Sequence, residues 1–198
     1  MSGITPLEPG KYYHIYNRGN NGENIFLEER NYAYFLNLYA KHIQPVAETF
    51  AYCLLRNHFH VLARTREERP GRSDRPARSR ASQAFSNFFN AYTKSINKAY
   101  GRTGSLFEKP FQRIEVTTPH YCMRLVHYIH WNPQKHGFVR DFRDYPYSSY
   151  HVLLSDKPTI LQRGQVLEWF EGPISFDAIH QMLTDEKEIG HLISNDVD

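Results

Sequence analysis

Apolar and polar positions alternate along the chain with two different periods, and these periods predict the order of its strands and helices. Segment 11–19 (KYYHIYNRG) alternates residue by residue and ends in a turn-forming sequence, which predicts a first strand. Segment 27–43 places Tyr32, Phe35 and Tyr39 three and four residues apart. This spacing lines one face of an amphipathic helix, so a helix is predicted to follow the first strand.

The middle of the chain predicts a hairpin followed by a second helix. Segments 46–55 and 58–65 are rich in apolar residues and are separated by two polar residues, which predicts two antiparallel strands joined by a tight turn. The next periodic segment, 82–100, predicts a helix that Ser82 caps at its start and that Gly101 ends.

The last predicted elements are a strand at 111–116 and a helix at 119–132. Pro119 falls in the first turn of this helix, and Pro133 follows its predicted end. The predicted order is therefore β-α-β-β-α-β with one further helix. This order indicates an α+β fold of the ferredoxin-like type, in which an antiparallel sheet has its helices mainly on one face. Residues 138–154 are predicted to return over the core.

Length and charge distribution indicate one main domain and two segments of a different character. A chain of 198 residues suffices for a single domain with its own core, predicted here to span 1–154. Residues 64–81 are predicted to be a mobile loop, because 64–80 contains seven arginines, three acidic residues and two prolines. Such a segment is either a solvated surface loop or a flexible basic arm for a polyanion. Residues 155–198 have weak periodicity and an acidic end, and the sequence assigns this extension no role.

Composition narrows the functional classes. The hydrophobic share of 40% is that of a globular protein, and no apolar run approaches the roughly 18 residues that a membrane helix needs. The first residues lack the apolar stretch of a secretory signal. Cys53 and Cys122 each lie among apolar residues, as buried cysteines do in a reducing compartment. We therefore expect a cytoplasmic protein with no membrane partner.

Two candidate functional residues are the histidines of LLRNHFHVLAR (residues 54–64), which includes the third predicted strand. His58 and His60 are two residues apart, so they project from the same face of a strand. Two neutral imidazoles at this spacing provide half of a site for a divalent metal ion. A pair of this kind also occurs as ordinary polar residues of a half-buried strand, and the stretch alone leaves both interpretations open.

A candidate nucleophile lies on the third predicted helix. Tyr128 and Asn132 are four residues apart, so they share one helical face. The amide oxygen of Asn132 would be a reasonable third ligand beside two imidazoles, and a tyrosine one turn away can attack a phosphate. The same helix carries His127, His130 and Trp131 on other faces, where packing or surface roles are the simpler explanation.

Such a set of side chains suits a reaction at a phosphodiester. Two histidines and an asparagine carry no charge, so they would hold a hard cation weakly until a substrate phosphate completes the coordination. Attack by a tyrosine would form a phosphotyrosine and release a sugar hydroxyl. The energy of the phosphodiester is kept in the new bond, so a second strand end could be joined without ATP.

The order of three motifs resembles that of a known family. YYHIYNRG in the first strand, NHFHVL in the third strand and YIHWNPQKHGFV on the third helix are similar to motifs of the REP-associated tyrosine transposases. These are relatives of the smallest single-strand insertion-sequence transposases, within the HUH endonucleases. The resemblance extends over residues 9–152. It implies that Tyr128 is the nucleophile and that His58, His60 and Asn132 hold the metal ion.

The resemblance also implies a substrate and a cofactor. Members of the family use Mg²⁺ or Mn²⁺ to cut and rejoin single-stranded DNA near hairpins through a 5′-phosphotyrosine, and they bind short palindromic repeats. The expected location is then the cytoplasm, in association with the nucleoid. The sequence leaves open whether the chain works as a monomer or a homodimer, and whether it mobilises an element or serves its host.

Contacts with DNA are predicted from basic residues near the motifs. Arg18 follows the first strand, and Arg102, Lys109 and Arg113 belong to the segment GRTGSLFEKPFQR. Each is a candidate for a phosphate or base contact. Three alternatives remain: a repeat-binding regulator without catalysis, a small hydrolase with a histidine nucleophile, and an unrelated ferredoxin-like protein with structural histidines. The intact histidine, tyrosine and asparagine set favours the transposase-like function, since binding alone requires no tyrosine on that helix face.

Overall fold

The computed structural model describes residues 5–67 and 80–182, which fold around a four-stranded sheet. The strands are β1 Tyr12–Arg18, β2 Ala47–Leu55, β3 His58–Thr65 and β4 Gln112–Val116. They lie in the order β2-β3-β1-β4, and each neighbouring pair is antiparallel. The helices are α1 Glu29–Ile43, α2 Arg80–Tyr100, α3 Pro119–Lys135, α4 Tyr150–Leu154, α5 Arg163–Trp169 and α6 Pro173–Met182. The predicted α+β, ferredoxin-like fold is confirmed.

Alternation along the strands creates one core on each face of the sheet. On β3, Phe59, Val61 and Ala63 are buried in a core that contains apolar side chains of α1 and α2. Leu62 points the other way and joins the core beneath α3. Each fully buried phenylalanine or leucine in these cores stabilises the fold by about 2 kcal/mol relative to exposure. Two helices therefore cover one face of the sheet, and α3 covers the other.

Residues 155–182, to which the sequence assigned no role, complete the core beneath α3. Leu161, Val166, Phe170 and Phe176 are buried there together with side chains of α3. The helix α5 contacts both α3 and β2. The described part of the extension therefore packs against both α3 and the edge strand β2. In the two described ranges, no helix is long and apolar enough to cross a bilayer.

Two helix ends differ from the prediction. The helix α2 begins at Arg80, so the predicted cap at Ser82 is wrong. The reason is that Ala81 is buried against the core, and this packing extends the helix upstream of the polar signal. The helix α3 continues through Pro133 to Lys135. A proline in the last turn removes one backbone donor, and the turn around it stays helical through tertiary packing.

The structure shortens the loop predicted at 64–81 at both of its ends. Arg64 belongs to β3, where its Nε donates to Glu48 at 2.9 Å, and α2 begins before residue 81. Residues 68–79, which contain most of the arginines of this segment, lie outside the described residues. The basic arm therefore stays a prediction. Residues 183–198, to which the sequence assigned no role, also lie outside the described residues.

Candidate active site

The two histidines of β3 lie side by side on the face that α3 covers. Their ring centroids are 5.2 Å apart with the planes almost perpendicular. His60 is 1% exposed, and His58, at the first position of the strand, is partly exposed. On β1, Tyr16 pairs with His60 and Arg18 pairs with His58. The i, i+2 spacing thus places both histidines on one face of the sheet. The pair is accessible from the side of His58, at the start of β3.

The helix α3 brings the predicted tyrosine and asparagine onto this pair. The Tyr128 ring meets His60 edge-on, with the centroids 5.7 Å apart. The Oδ1 atom of Asn132 lies 3.3 Å from Nε2 of His58. The helix begins at Pro119 and is capped by Thr118, whose Oγ1 accepts the Tyr121 N–H at 3.1 Å. Tyr128 and Asn132, four residues apart on one face of α3, therefore meet the two histidines, which are two residues apart on one face of β3.

A hydrogen bond to Asn57 orients the His58 ring so that its other nitrogen faces Asn132. The Nδ1 atom of His58 lies 2.8 Å from Oδ1 of Asn57. An amide oxygen only accepts, so Nδ1 carries the proton and donates it. In the neutral ring, Nε2 then presents a lone pair to the Asn132 oxygen. Two lone pairs at 3.3 Å repel one another unless a cation or a proton lies between them. The arrangement therefore fits two ligands of one cation.

His60 has the other features of a metal ligand. Burial, with the positive charges of neighbouring groups, holds its pKa well below the usual range, so the ring is neutral. Its Nδ1 lies 3.0 Å from Nε2 of His14. Its Nε2 is buried without a hydrogen-bond partner among the described residues. A ligating histidine characteristically uses its second nitrogen in such an outer hydrogen bond.

The donor set is small. No three His, Cys, Asp or Glu side chains within residues 5–67 and 80–182 converge as a metal-binding group. A site here therefore depends on His58, His60 and the amide oxygen of Asn132, which together carry no charge. This chemistry fits a divalent cation that an anionic substrate helps to retain.

Four further residues of the site were missed by the sequence reasoning. His14 and Tyr16 stack beside His60, with ring centroids 5.2 and 5.7 Å from it. The ring centroids of His136 and His58 are 5.0 Å apart, and the ammonium of Lys135 lies 5.3 Å from the centre of the Tyr128 ring. The alternation of His14 with tyrosines was visible, but its partner depends on strand register. His136 follows Asn132 by four residues, and the helix end predicted at Pro133 concealed that spacing.

The candidate nucleophile is covered. The Tyr128 side chain is fully buried. A phosphate could therefore reach its hydroxyl only after the groups over it move.

The histidines on the other faces of α3 lie in the core shared with the extension. His130 accepts from Ser149 at Nε2 (2.8 Å), and its Nδ1 lies 2.9 Å from Nε2 of His180. Burial lowers the pKa of His127 to about 4 and that of His180 to about 3. These neutral rings pack α3 against α6 and do not face His58.

The four basic residues predicted to contact DNA lie in three different places. Arg18 is at the open end of β1, ion-paired with Glu108 at 2.7 Å. Arg102 follows α2 and is ion-paired with Glu23. Lys109 and Arg113 line a cavity on the opposite face of the sheet. Only Arg18 thus adjoins the histidine pair.

Comparisons with known proteins agree with the motifs. No family model matches the chain. A Haemophilus influenzae protein with the provisional name of REP-associated tyrosine transposase is 27% identical over 106 residues, which are 52% of this chain and 59% of that protein. The match thus spans little more than half of that relative. A solved structure titled as a REP-associated tyrosine transposase bound to a REP hairpin has a TM-score of 0.57 and 23% identity, over 84% of this chain and 93% of its own. The resemblance in sequence and fold is confirmed.

Proposed function

We propose that this chain is a REP-associated tyrosine transposase that cuts and rejoins single-stranded DNA beside hairpins or palindromic repeats. One observation carries the proposal: α3 places Tyr128 and Asn132 against the histidine pair of β3, with the oriented Nε2 of His58 3.3 Å from the Asn132 oxygen. The motif order, the related protein and the matching fold support it.

The cofactor expected at this site is Mg²⁺ or Mn²⁺. His58, His60 and Asn132 are the residues that would hold it, and the two imidazoles favour Mn²⁺. The ion would polarise the scissile phosphate and offset its developing charge. His14 and Asn57 keep both rings in the required orientation through their hydrogen bonds to Nδ1.

The chemical step assigned to Tyr128 is attack of its hydroxyl oxygen on the phosphorus. The bond from phosphorus to the 3′ oxygen breaks, and that oxygen gains the proton that the tyrosine loses. A 5′-phosphotyrosine and a free 3′-hydroxyl result. The ammonium of Lys135 beside the ring provides positive charge that favours the phenolate. Attack of a 3′-hydroxyl on the phosphotyrosine reverses the step and rejoins the DNA.

An adduct assay tests this proposal. The protein is incubated with Mn²⁺ and a labelled hairpin oligonucleotide from the DNA that flanks its gene, and denaturing gels are read for a protein–DNA adduct. We expect an adduct that disappears with a chelator and with Tyr128→Phe. The matched control is Tyr121→Phe, on the same helix, which should keep the adduct.

The results separate the proposal from its alternatives. An adduct that persists in Tyr128→Phe would move the nucleophile elsewhere and refute the mechanism. Tight binding without cleavage, over several hairpins and both metal ions, would favour a regulator that binds repeats without chemistry.

A further inference from the structure

A cavity of about 300 Å³ lies between α3, α6 and residues 140–143. Trp131 and Gln134 line it from α3, and His180 and Gln181 line it from α6. None of the residues assigned to the candidate active site lines it. The volume is at the lower end of the range of small-ligand pockets, which is about 300–1,000 Å³. The cavity is therefore a separate site with room for a small ligand.

Three side chains that line this cavity have hydrogen-bond donors to offer to a ligand. The Nε1 atom of Trp131 is buried and has no hydrogen-bond partner among the described residues. Gln134 accepts the Phe142 N–H at Oε1 (3.1 Å), which leaves its amide nitrogen to donate. The guanidinium of Arg140 is exposed and makes no hydrogen bond or ion pair anywhere in the described ranges. Because a buried donor without an acceptor is unfavourable, the cavity favours a ligand that accepts hydrogen bonds.

The charge at this cavity favours an anion. Asp141 is the carboxylate among its described lining residues, and Nε of Arg143 lies 2.9 and 3.0 Å from its two oxygens. These hydrogen bonds hold the pKa of Asp141 below its usual value, so the carboxylate is ionised and paired. His180 is neutral, because burial lowers its pKa to about 3, and both of its ring nitrogens are hydrogen-bonded. Two arginine charges and one aspartate charge thus give the cavity a net charge of +1.

We propose that this cavity between α3 and α6 binds the phosphate group of a small ligand. The phosphate oxygens would accept hydrogen bonds from the Arg140 guanidinium, the Gln134 amide and the Trp131 indole N–H. Hydrogen bonds to ionised oxygens are stronger than those between neutral groups, and a phosphate can accept from several directions at once. The small volume suits a free phosphate or a small phosphate ester. The inference goes beyond the proposed function, because no step of it requires DNA.

The fluorescence of Trp131 tests the inference at the cavity itself. The chain has two tryptophans, so Trp169→Phe leaves Trp131 as the single reporter. This protein is titrated with inorganic phosphate in one arm and with glycerol 3-phosphate in another, at constant ionic strength. The titration extends to about 20 mM, which would nearly saturate a site with a Kd of about 1 mM. We expect a saturable change with at least one of the two ligands and none with sodium chloride. The tighter of the two ligands distinguishes a free phosphate from an ester.

Protein variants in the same background then locate the bound phosphate. Gln134→Glu keeps the acceptor for the Phe142 N–H but places a negative charge in the cavity, so it should weaken binding at least about a hundredfold. Arg140→Gln, at an exposed position, removes a charged donor and should weaken binding at least about tenfold. The matched control is Lys41→Gln, which removes the same charge from an exposed position of α1 that does not line the cavity and should leave binding unchanged. Far-UV circular dichroism checks that each variant is folded.

Two results would overturn the inference from the titrations. One is the absence of a saturable change with both phosphate ligands, and the other is binding by Arg140→Gln that equals binding by Lys41→Gln. Fluorescence anisotropy with a labelled hairpin oligonucleotide then examines DNA as the source of the phosphate. Arg140→Gln and Lys41→Gln should bind the hairpin equally well. A selective loss of hairpin affinity in Arg140→Gln would assign the cavity to a DNA phosphate and overturn the small-ligand inference, whereas the Tyr128 adduct tests the proposed function separately.

Discussion

Acid should destabilise this protein through a buried histidine on α3, and the size of the effect follows from its surroundings. His127 is 4% exposed and lies between Trp131 and His180, with ring centroids 6.5 and 5.3 Å away. Burial lowers its pKa to about 4, whereas the unfolded chain titrates near the usual value of about 6.5. Between these values the unfolded chain binds a proton that the folded protein does not. Stability is therefore lost as the pH falls through this window.

The shift of about 2.5 pKa units corresponds to about 3.4 kcal/mol when the window is fully crossed. At about pH 4.5, the cost is about 2.5 kcal/mol, because the folded ring is then partly protonated. His127→Phe keeps a flat ring and removes the titration. The Nε2 atom of His127 has no hydrogen-bond partner among the described residues, but the ring also donates a hydrogen bond to the backbone of His180. Because Phe cannot make that bond, the substitution should lower the free energy of unfolding at neutral pH by about 1–3 kcal/mol, a loss that is the same at both pH values.

Urea unfolding followed by far-UV circular dichroism measures this effect. The free energy of unfolding of His127→Phe relative to wild type should rise by about 2.5 kcal/mol between neutral pH and about pH 4.5. His120→Gln, at an exposed position of the same helix, is the control and should show no such rise. An equal difference between His127→Phe and wild type at both pH values would refute the reasoning.

Three further predictions follow from buried polar groups. His14→Phe removes the hydrogen bond to Nδ1 of His60 and should weaken Mn²⁺ binding by about tenfold in calorimetry; unchanged affinity would show that this bond is not needed. Cys53 and Cys122 are buried free thiols with raised pKa values, so a thiol reagent should label them only after unfolding, and rapid labelling of the native protein would contradict their burial. His180→Phe leaves an imidazole N–H of α3 without its acceptor and should lower the free energy of unfolding by about 1–3 kcal/mol in urea titration, whereas an unchanged value would refute a contribution from that bond.

The sequence predicted those features that depend on local period. His58 and His60 share a face because a strand repeats every two residues, and Tyr128 and Asn132 share one because a helix repeats every 3.6. The order of elements then determines the ferredoxin-like sheet. Both halves of the candidate site could therefore be derived before any contact was known.

The features that the sequence did not predict depend on register and tertiary packing. His14 lies against His60 only because β1 pairs with β3 in the register that sets His14 opposite Leu62. No local pattern contains that register. Likewise, the end of α3 is determined by packing around Pro133, and a local rule placed it too early. The outer part of the candidate site was hidden for these two reasons.

The extension after residue 154 has a structural consequence for the candidate site. Phe176 accepts from Nδ1 of His180 at 2.7 Å through its carbonyl, which leaves Nε2 of His180 to accept from His130. His130 must then accept at Nε2, so Ser149 donates its hydroxyl there and itself accepts the Tyr52 N–H of β2. When both rings are neutral, every hydrogen bond in this series has only one possible donor and one possible acceptor. The series joins α6, α3 and β2 on the side of α3 that faces away from the histidine pair. These hydrogen bonds therefore fix the rotation of α3 about its own axis. This rotation determines whether Tyr128 and Asn132 face the histidine pair of β3.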